Sequence, residues 1–367
     1  MINETNIFEF DAVVIGAGVI GLAIANEIAD NLDNVLVIEK ESDFGQHVSS
    51  RHSGVIHSGI YYGHNTLKAK LCVEGNKLLY DFCERNNINY LNCGKLVVGH
   101  SNNDLEELLK LKSRGVKNGV EGLKILNSEE AKEKESLVKC TNALWVPSTG
   151  VVDSHGLMKT LEQSCKNKGV IIQYNSEIST LLNDLGKYRL NIKSDNIIIE
   201  SKYVINSAGL WCDSIAKMLG INDYKIYYCK GDYYGTKSNH KYKCLIYPLP
   251  ETHGLGIHSV IQLDGSVSFG PNAYYVDDLD YSVNSEFKND FFDSINKYLN
   301  IDKKDLYPDY AGIRPKPFGL HEKSKDFVIK DEGEKGFPNL INLIGIESPG
   351  LTCSLSIGKF VKEIILS

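Results

Sequence analysis

The chain has 367 residues, of which 42% are hydrophobic and 24% are charged, as expected for a folded protein of one elaborated domain or two domains. Its formal net charge of −7 gives no electrostatic basis for binding nucleic acid, so we expect no nucleic-acid partner. Its nine cysteines are scattered without a CxxC pair, which argues against a metal site and a disulfide framework and favours a reducing compartment.

The sequence contains no predicted targeting or membrane-spanning segment. The first ten residues lack the basic and apolar regions of a signal peptide, and no apolar run is long enough to span a bilayer. We therefore expect a cytoplasmic protein. Peripheral contact with the inner face of a membrane stays open, because such contact needs no spanning segment.

Residues 10–40 predict a dinucleotide-binding βαβ unit. An apolar strand leads into the glycine motif GAGVIG at 16–21, a helical stretch follows, and a second strand ends at Glu39. Strand, glycine turn, helix, strand and acidic residue occur in the order that such a unit requires. The motif alone does not distinguish FAD from NAD.

The three glycines and the acidic residue have separate predicted roles. Gly16 allows the tight turn, Gly18 lets a pyrophosphate approach the backbone, and Gly21 lets the helix pack closely on the strand. Glu39 stands where a carboxylate accepts a hydrogen bond from a ribose hydroxyl. A carboxylate there would repel a 2′-phosphate, which argues against NADP.

Two further strand-to-helix junctions follow along the chain. Residues 203–209 predict a strand ending in a glycine turn, with a helix after it, and residues 339–366 predict a third such unit at the end of the chain. Between them, residues 225–309 contain alternating segments typical of an antiparallel sheet. A βα unit thus opens the chain and another closes it, unlike the contiguous block of an NAD dehydrogenase.

Several segments that cover most of the chain in order carry a family resemblance. They are SSRHSGVIHSGIYYG (49–63), LKAKLCVEGNKLLYDFCERNNI (67–88), NCGKLVV (92–98), GDYY (231–234), LIYPLP (245–250), GLGIH (254–258), DGSVSFGPNA (264–273), AGIRP (311–315) and IGIESPGLTCSLSIG (344–358). With these segments the chain resembles the D-amino-acid-oxidase-like (DAO) superfamily of FAD oxidoreductases. Within it, the chain resembles the L-2-hydroxyglutarate dehydrogenase/oxidase family.

The resemblance implies FAD as the cofactor and an α/β (α+β) fold. In that fold a Rossmann-like FAD-binding domain is joined to a second, mainly antiparallel β-sheet substrate domain. The expected boundaries are 1–88, 150–222 and 310–367 for the discontinuous FAD-binding domain, and 89–149 and 223–309 for the substrate domain.

The resemblance also implies that FAD lies along the three glycine turns and the polar cluster at 49–53. The helix that begins near Leu351 would direct its positive end at the flavin, which favours the reduced form. No metal is expected. The predicted cofactor-binding residues are Gly16, Gly18, Gly21, Glu39, Lys40, Ser49, Ser50, Arg51, His52, Ser53, Ser207, Ala208, Gly209, Trp211, Gly345, Pro349, Gly350, Leu351 and Thr352.

Oxidation of a 2-hydroxy acid requires a cation for the carboxylate, a base for the hydroxyl proton and a flavin that takes the hydride. Arg314 is predicted to bind the carboxylate, because its planar guanidinium matches that group. His57 is the predicted base, and His258 is the alternative. The predicted substrate-binding tyrosines are Tyr62, Tyr233 and Tyr247.

We therefore expect an FAD-dependent oxidoreductase that converts L-2-hydroxyglutarate to 2-oxoglutarate by hydride transfer to flavin N5. Two alternatives stay open: an amino-acid or secondary-amine oxidase of the same superfamily, and a non-catalytic flavoprotein. Lys230 is a candidate for binding a second substrate carboxylate, although a solvated lysine is the commoner role. The electron acceptor is oxygen, a quinone or a carrier protein.

Overall fold

A computed structural model describes residues 6–184, 186–193, 197–250 and 255–367. Gly254, the first residue of the GLGIH motif, lies outside these ranges. Within them the α-helices are, in chain order, α1 (Val19–Ile28), α2 (Leu67–Arg85), α3 (Asn102–Lys117), α4 (Ser128–Lys134), α5 (Ser154–Asn167), α6 (Cys212–Met218), α7 (Lys288–Asn296) and α8 (Gly350–Leu366).

The strands of the described residues belong to four sheets. In chain order they are β1 (Asn6–Ile15), β2 (Val35–Ile38), β3 (Val55–Ile56), β4 (Tyr90–Leu91), β5 (Lys95–Gly99), β6 (Lys124–Asn127), β7 (Asn142–Val146), β8 (Gly150–Val152), β9 (Ile171–Gln173), β10 (Ile178–Asp184), β11 (Lys187–Ile192), β12 (Ile197–Asn206), β13 (Tyr227–Thr236), β14 (Leu245–Tyr247), β15 (His258–Ile261), β16 (Val267–Gly270), β17 (Tyr274–Val276), β18 (Leu306–Lys316), β19 (Val328–Glu332) and β20 (Phe337–Ile344).

The chain divides into two compact units. Unit 1 contains Met1–Ser50, Ser154–Tyr227 and Pro315–Ser367, and unit 2 contains Arg51–Asp153 and Tyr228–Arg314. Both units are therefore discontinuous in sequence.

The boundaries of the units differ from those predicted from the sequence. Residues 51–88 were assigned to the FAD-binding domain, whereas their contacts place them in unit 2. Strand pairing explains the difference, because β3, the strand in these residues, pairs in antiparallel register with β8, which also pairs with β4 of the same unit. The sequence shows only a short apolar stretch at β3 and does not reveal which strand it joins.

Unit 1 is built on a sheet whose strand order is β10-β11-β12-β1-β2-β9, with β20 paired to β12 and β19 paired to β20. The pairs β12–β1, β1–β2, β2–β9 and β12–β20 are parallel. Ala12, Val13 and Val14 of β1 are fully buried, as expected for a parallel strand covered on both faces. Strands β11 and β12 pair in antiparallel register.

The last helix of the chain packs on the first helix in unit 1. A Cβ on Gly358 of α8 would lie 2.8 Å from the carbonyl oxygen of Ala23 in α1, so the two backbones touch where no side chain fits. The predicted closing βα unit is thus β20 followed by α8, and it completes the layer that α1 begins.

Unit 2 contains three sheets. The first has the strand order β15-β16-β13-β17, and β18 joins it by pairing with β13. The second has the order β14-β5-β7-β6, and the third has the order β3-β8-β4. Most pairs are antiparallel, which agrees with the predicted mainly antiparallel substrate domain. Strand β14 instead lies parallel to β5, although its alternating pattern predicted a place in an antiparallel sheet. Alternation indicates a strand with two different faces but carries no information about strand direction.

Candidate active site

The first glycine turn joins β1 to α1 and leaves no room for side chains. Gly16 has a φ of +102°, and a Cβ there would lie 2.9 Å from the Ser207 carbonyl oxygen. A Cβ on Gly21 would lie 1.9 Å from the Gly16 carbonyl oxygen. These contacts match the predicted roles of Gly16 and Gly21 in the turn and in the close approach of helix and strand.

Ser49 lies at the start of α1. The Val19 N–H donates a hydrogen bond to Ser49 Oγ at 3.0 Å, and a Cβ on Gly18 would lie 2.9 Å from the same oxygen. The start of α1 also carries the positive end of the helix dipole. This position is suited to the phosphates of a dinucleotide.

Glu39 is held by the backbone on either side of it. The Ala17 N–H donates to Oε2 at 2.8 Å, and the Glu41 N–H donates to Oε1 at 2.9 Å. Each carboxylate oxygen has a further lone pair, so the carboxylate retains the capacity to accept from a ribose hydroxyl. The sequence prediction for Glu39 is compatible with this geometry.

Lys40 and Trp211, which are far apart in the sequence, meet in unit 1. Lys40 Nζ lies 3.2 Å from the centre of the Trp211 ring, and the His47 ring packs edge-on against the same indole with centroids 4.7 Å apart. The indole face therefore lies beside the strand that ends at Glu39. His47 was not singled out from the sequence.

The second and third glycine turns lie beside the first. Ser207 Oγ donates to the Ile15 carbonyl oxygen at 2.8 Å, which joins the ends of β12 and β1. The buried Asn206 Nδ2 donates to Asn342 Oδ1 at 2.8 Å and joins β12 to β20. The other predicted cofactor residues of this unit, Ser50, Ala208, Gly209, Gly345, Pro349, Gly350, Leu351 and Thr352, lie in these turns, in the short helical turn that contains Ser49, or at the start of α8.

The positions of these turns define a dinucleotide-binding crevice. Strands β1, β12 and β20 are parallel, so their carboxyl ends and the turns that follow lie at one edge of the sheet. In open α/β sheets this edge is where nucleotides bind. The backbone at Gly16, Gly18 and Gly21 carries no side chain, which is compatible with the close approach of an extended dinucleotide such as FAD.

Three predicted cofactor residues belong to unit 2. The Arg51 guanidinium lies over the Tyr281 ring at 4.1 Å, and the Gly54 N–H donates to His52 Nδ1 at 3.0 Å. Ser53 is within hydrogen-bonding range of Tyr233. Contact of these three residues with FAD stays a prediction.

Unit 2 also contains a set of five neighbouring buried or half-buried residues that we call the buried cluster: His57, Tyr61, Lys95, Tyr247 and His258. Lys95 Nζ lies 4.4 Å from the centre of the Tyr61 ring and 4.5 Å from that of Tyr247. The Tyr247 ring stacks on the His258 ring with centroids 3.8 Å apart. Both predicted base candidates therefore belong to one group of side chains.

Burial and mutual repulsion hold both histidines neutral. Burial lowers the pKa of His57 well below its usual range, and the charges of Lys95 and His258 lower it further. Burial lowers the pKa of His258 to about 3, against an opposing hydrogen bond with the Gly256 carbonyl oxygen. That 2.8 Å contact places the imidazole proton on Nδ1 and leaves Nε2 as an acceptor. Neutral imidazoles of this kind can take up a proton.

Arg314 is oriented by polar groups of unit 2. Its Nε donates to the Cys229 carbonyl oxygen at 3.5 Å and its Nη2 to the Asn272 carbonyl oxygen at 3.2 Å. The side chain is half-buried. Its charge lowers the pKa of His258 and acts on that of Tyr233, so the guanidinium is within electrostatic range of both. The structure thus brings the predicted carboxylate-binding residue close to the buried cluster.

The predicted tyrosines differ in their environments. Tyr247 belongs to the buried cluster, and Tyr233 stacks on Tyr310 with centroids 4.3 Å apart. Tyr62 contributes its carbonyl oxygen, which accepts from Asn118 at 2.9 Å, while the neighbouring Tyr61 places its ring in the buried cluster. Lys230 Nζ lies 3.2 Å from Asp280 Oδ2, so its charge is already paired.

Two members of the buried cluster, Lys95 and Tyr61, were not singled out from the sequence. All five residues of β5, KLVVG, are buried, and Lys95 is fully so. A lysine inside an apolar strand was the available signal, because lysine is almost never fully buried unless it is paired.

In the described part of the chain, no group of three or more His, Cys, Asp or Glu side chains could hold a metal ion. No described helix is both long and apolar enough to cross a membrane.

The fold and the glycine turns are those of a dinucleotide-binding protein, and comparisons with known proteins identify it as an FAD-dependent oxidoreductase. A family model described as "FAD dependent oxidoreductase" (DAO) matches residues 11–364. The chain therefore belongs to the DAO family. The predicted fold class, the FAD cofactor and the enzyme class are all confirmed.

Relatives that match nearly the whole chain include L-2-hydroxyglutarate dehydrogenases. A mitochondrial L-2-hydroxyglutarate dehydrogenase of Arabidopsis thaliana is 37% identical, with 97% of this chain and 83% of the relative covered. An L-2-hydroxyglutarate dehydrogenase of Escherichia coli is 29% identical, with 96% and 92% covered. A solved structure of L-α-glycerophosphate oxidase from Mycoplasma pneumoniae, reduced with dithionite and with FAD bound, is similar in fold with a TM-score of 0.89, at 24% identity, with 98% of this chain and 95% of that chain covered.

Proposed function

We propose that this chain oxidises L-2-hydroxyglutarate to 2-oxoglutarate with FAD as the cofactor. The observation that carries the proposal is the 37% identity with an L-2-hydroxyglutarate dehydrogenase over 97% of the chain. The alignment spans 405 positions, more than the 367 residues of this chain, so the relative has residues that this chain lacks.

The residues of unit 2 supply the groups that this reaction needs. Arg314 is the proposed partner of the substrate carboxylate, because a guanidinium binds a carboxylate through two parallel hydrogen bonds. His57 is the proposed base for the hydroxyl proton, and its neutral state suits that role. The flavin, when bound, supplies the hydride acceptor for the α-hydrogen. Loss of the hydroxyl proton and the α-hydride converts the alcohol to the ketone.

The electron acceptor and the location in the cell stay predictions. Oxygen, a quinone and a carrier protein are all candidate acceptors. The plant relative is named as mitochondrial, whereas we predict a cytoplasmic protein with peripheral membrane contact left open. Fractionation of the source cells followed by immunoblotting would test the predicted location.

Anaerobic reduction of the bound flavin tests the proposed activity. L-2-hydroxyglutarate is expected to bleach the yellow absorbance, and D-2-hydroxyglutarate is the matched control because it differs only in the configuration of the reacting carbon. Bleaching by amino acids such as glycine or proline, but not by hydroxy acids, would identify an amine oxidase. A flavin that dithionite reduces and no substrate reduces would indicate a non-catalytic flavoprotein.

A further inference from the structure

We propose that Lys95 is a positioning residue that takes up the one proton that the buried cluster holds near neutral pH, and that its charge adds to burial in disfavouring protonation of His57 and His258. A role of this proton in catalysis rests on the proposed function. The order in which Lys95, His57 and His258 take up protons does not. The inference concerns a residue to which neither the sequence analysis nor the comparisons assign a role.

The surroundings of Lys95 are unusual for a buried ammonium group. Its side chain is fully buried, and within the described residues its Nζ has no hydrogen-bond partner. Its contacts are instead the faces of Tyr61 and Tyr247, at 4.4 and 4.5 Å from the ring centres. Aromatic faces attract a cation but do not neutralise it, unlike the carboxylate that normally accompanies a buried lysine.

The groups that face Lys95 come from several elements. Tyr61 and His57 belong to the segment before α2, and Cys72 belongs to α2 itself. Tyr247 belongs to β14, and His258 to β15. The Cys72 thiol, when ionised, would stabilise the ammonium, while the charge of Arg314 acts on His258 from β18. No carboxylate is among the groups that act on Lys95 in the described residues.

These surroundings make the three basic groups compete for protons. The charge of Lys95 lowers the pKa of both His57 and His258, so protonation of one group opposes protonation of the others. Burial lowers the pKa of Lys95 only to about 7, whereas that of His258 falls to about 3. On acidification Lys95 therefore takes the first proton, and both imidazoles remain available as acceptors.

Direct binding of a substrate carboxylate by Lys95 is not part of the proposal. The Nζ atom has almost no accessible surface, so a ligand would have to displace an aromatic ring to reach it. Lys95 acts through the charge that it places near the histidines. Its removal should consequently change their protonation.

Titration of the histidines by NMR tests the proposal independently of substrate. The FAD-loaded protein would carry ¹³C-labelled imidazole rings, and His57→Gln and His258→Gln would assign the two signals. In Lys95→Met, the pKa of at least one of the two histidines should rise by about one unit, because a nearby positive charge is lost. Lys134→Met is the matched control, since Lys134 is exposed and makes a similar contact 4.7 Å above the Trp145 ring.

The wild-type protein gives a second readout if Lys95→Met does not fold. The ¹³C shifts of His57 and His258 should show a small inflection near pH 7, where Lys95 titrates. Histidine pKa values that are unchanged in Lys95→Met, or wild-type histidine shifts without that inflection, would overturn the proposal. If L-2-hydroxyglutarate is the substrate, the acid limb of kcat/KM should also move to higher pH in Lys95→Met. A merely structural role for Lys95 would lower activity without moving that limb.

Discussion

At the scale of single residues, His57 and His258 differ in what holds them. His258 is fixed by its hydrogen bond to Gly256 and by stacking on Tyr247. His57 is held in part through its carbonyl oxygen, which accepts from Asn76 Nδ2 at 3.0 Å. His57 is the base predicted from the sequence, and His258 is the alternative.

We expect His57→Gln to lower kcat by about a hundredfold, because general-base catalysis typically contributes 10²–10⁴-fold. His258→Gln should have a smaller effect. Flavin absorbance would verify that both variants retain FAD, and stopped-flow reduction would measure the chemical step. The opposite ranking would assign the base role to His258.

The wild-type pH profile follows from the same histidine. The base is active when deprotonated, and burial holds its pKa well below 6.5. The plateau of kcat/KM should therefore extend on the acid side to below about pH 6, beyond where an exposed histidine would protonate. Steady-state rates in overlapping buffers measure the profile, and an acid limb centred at about pH 6.5 or above would contradict this prediction.

Lys95 should make the stability of the protein pH-dependent on the alkaline side. Its pKa is lowered from 10.5 to about 7 in the folded protein, so between these values the unfolded chain binds more protons. The free energy of unfolding should consequently rise with pH across this window, by about 3 kcal/mol between about pH 7 and pH 9.5. Urea titrations of the wild type and Lys95→Met would measure it, since the variant lacks this contribution. Parallel curves for the two proteins would show that Lys95 is not desolvated.

Sequence reasoning was effective for side chains whose chemistry can be recognised in isolation. Arg314, which has glycine and proline nearby in its strand, and His57, in a polar loop, were singled out from the sequence. The structure places His57 in the buried cluster and Arg314 within electrostatic range of it. Tyr61 and Lys95 were missed because their importance comes from β5, β14 and β15 meeting in space. That pairing, including the parallel register of β14 on β5, leaves no local signature.

At the scale of elements, the glycine turns are where local sequence determined structure most directly. Gly16, Gly209 and Gly345 all have positive φ values, of +102°, +56° and +70°. Such conformations cost other residues about 1–2 kcal/mol, so glycine at the end of an apolar strand is a reliable sign of a turn. The boundaries of the two units were harder to predict. A short strand such as β3 or β4 belongs to the unit of the strand with which it pairs, and the sequence does not show that pairing.

Gly16→Ala should abolish FAD binding or weaken it severely. The new Cβ would meet the Ser207 carbonyl oxygen at 2.9 Å and would force apart the turns after β1 and β12. Gly169→Ala is the matched control, because Gly169 also has a positive φ, +83°, but a Cβ there would meet nothing within 4 Å. Flavin content after gel filtration and thermal unfolding measure the outcome. Equal loss of FAD in both variants would show that backbone strain alone is responsible.

At the scale of the whole molecule, the chain passes between the two units four times, after residues 50, 153, 227 and 314. Unit 1 takes its strands from three separate segments, and its helix α8 comes from the last of them. No single contiguous segment of the chain therefore contains either complete unit. A discontinuous FAD-binding domain was predicted from the sequence because one βα unit opens the sequence and another closes it.

Removal of residues 350–367 should prevent unit 1 from holding FAD. The deletion takes away α8, whose Gly358 packs against the backbone of α1, and exposes the apolar surface that the helix covers. Removal of the exposed Leu366 and Ser367 alone is the control and should leave FAD content unchanged. Flavin absorbance and near-UV circular dichroism would compare the two proteins. A truncated protein that retains stoichiometric FAD would show that α8 is dispensable.

The order of strands in unit 1 also determines when this protein matures during synthesis. The second half of β12 has β1 on one side and β20 on the other, with β11 beside its first half, so β20 is translated more than a hundred residues after the strand that it joins. A nascent polypeptide therefore exposes the β20-facing edge of β12 until β20 has been translated. Because the turn after β20 belongs to the predicted coenzyme site, we expect capture of the coenzyme only after that segment has emerged, and chaperones that shield such edges can act on this protein until then.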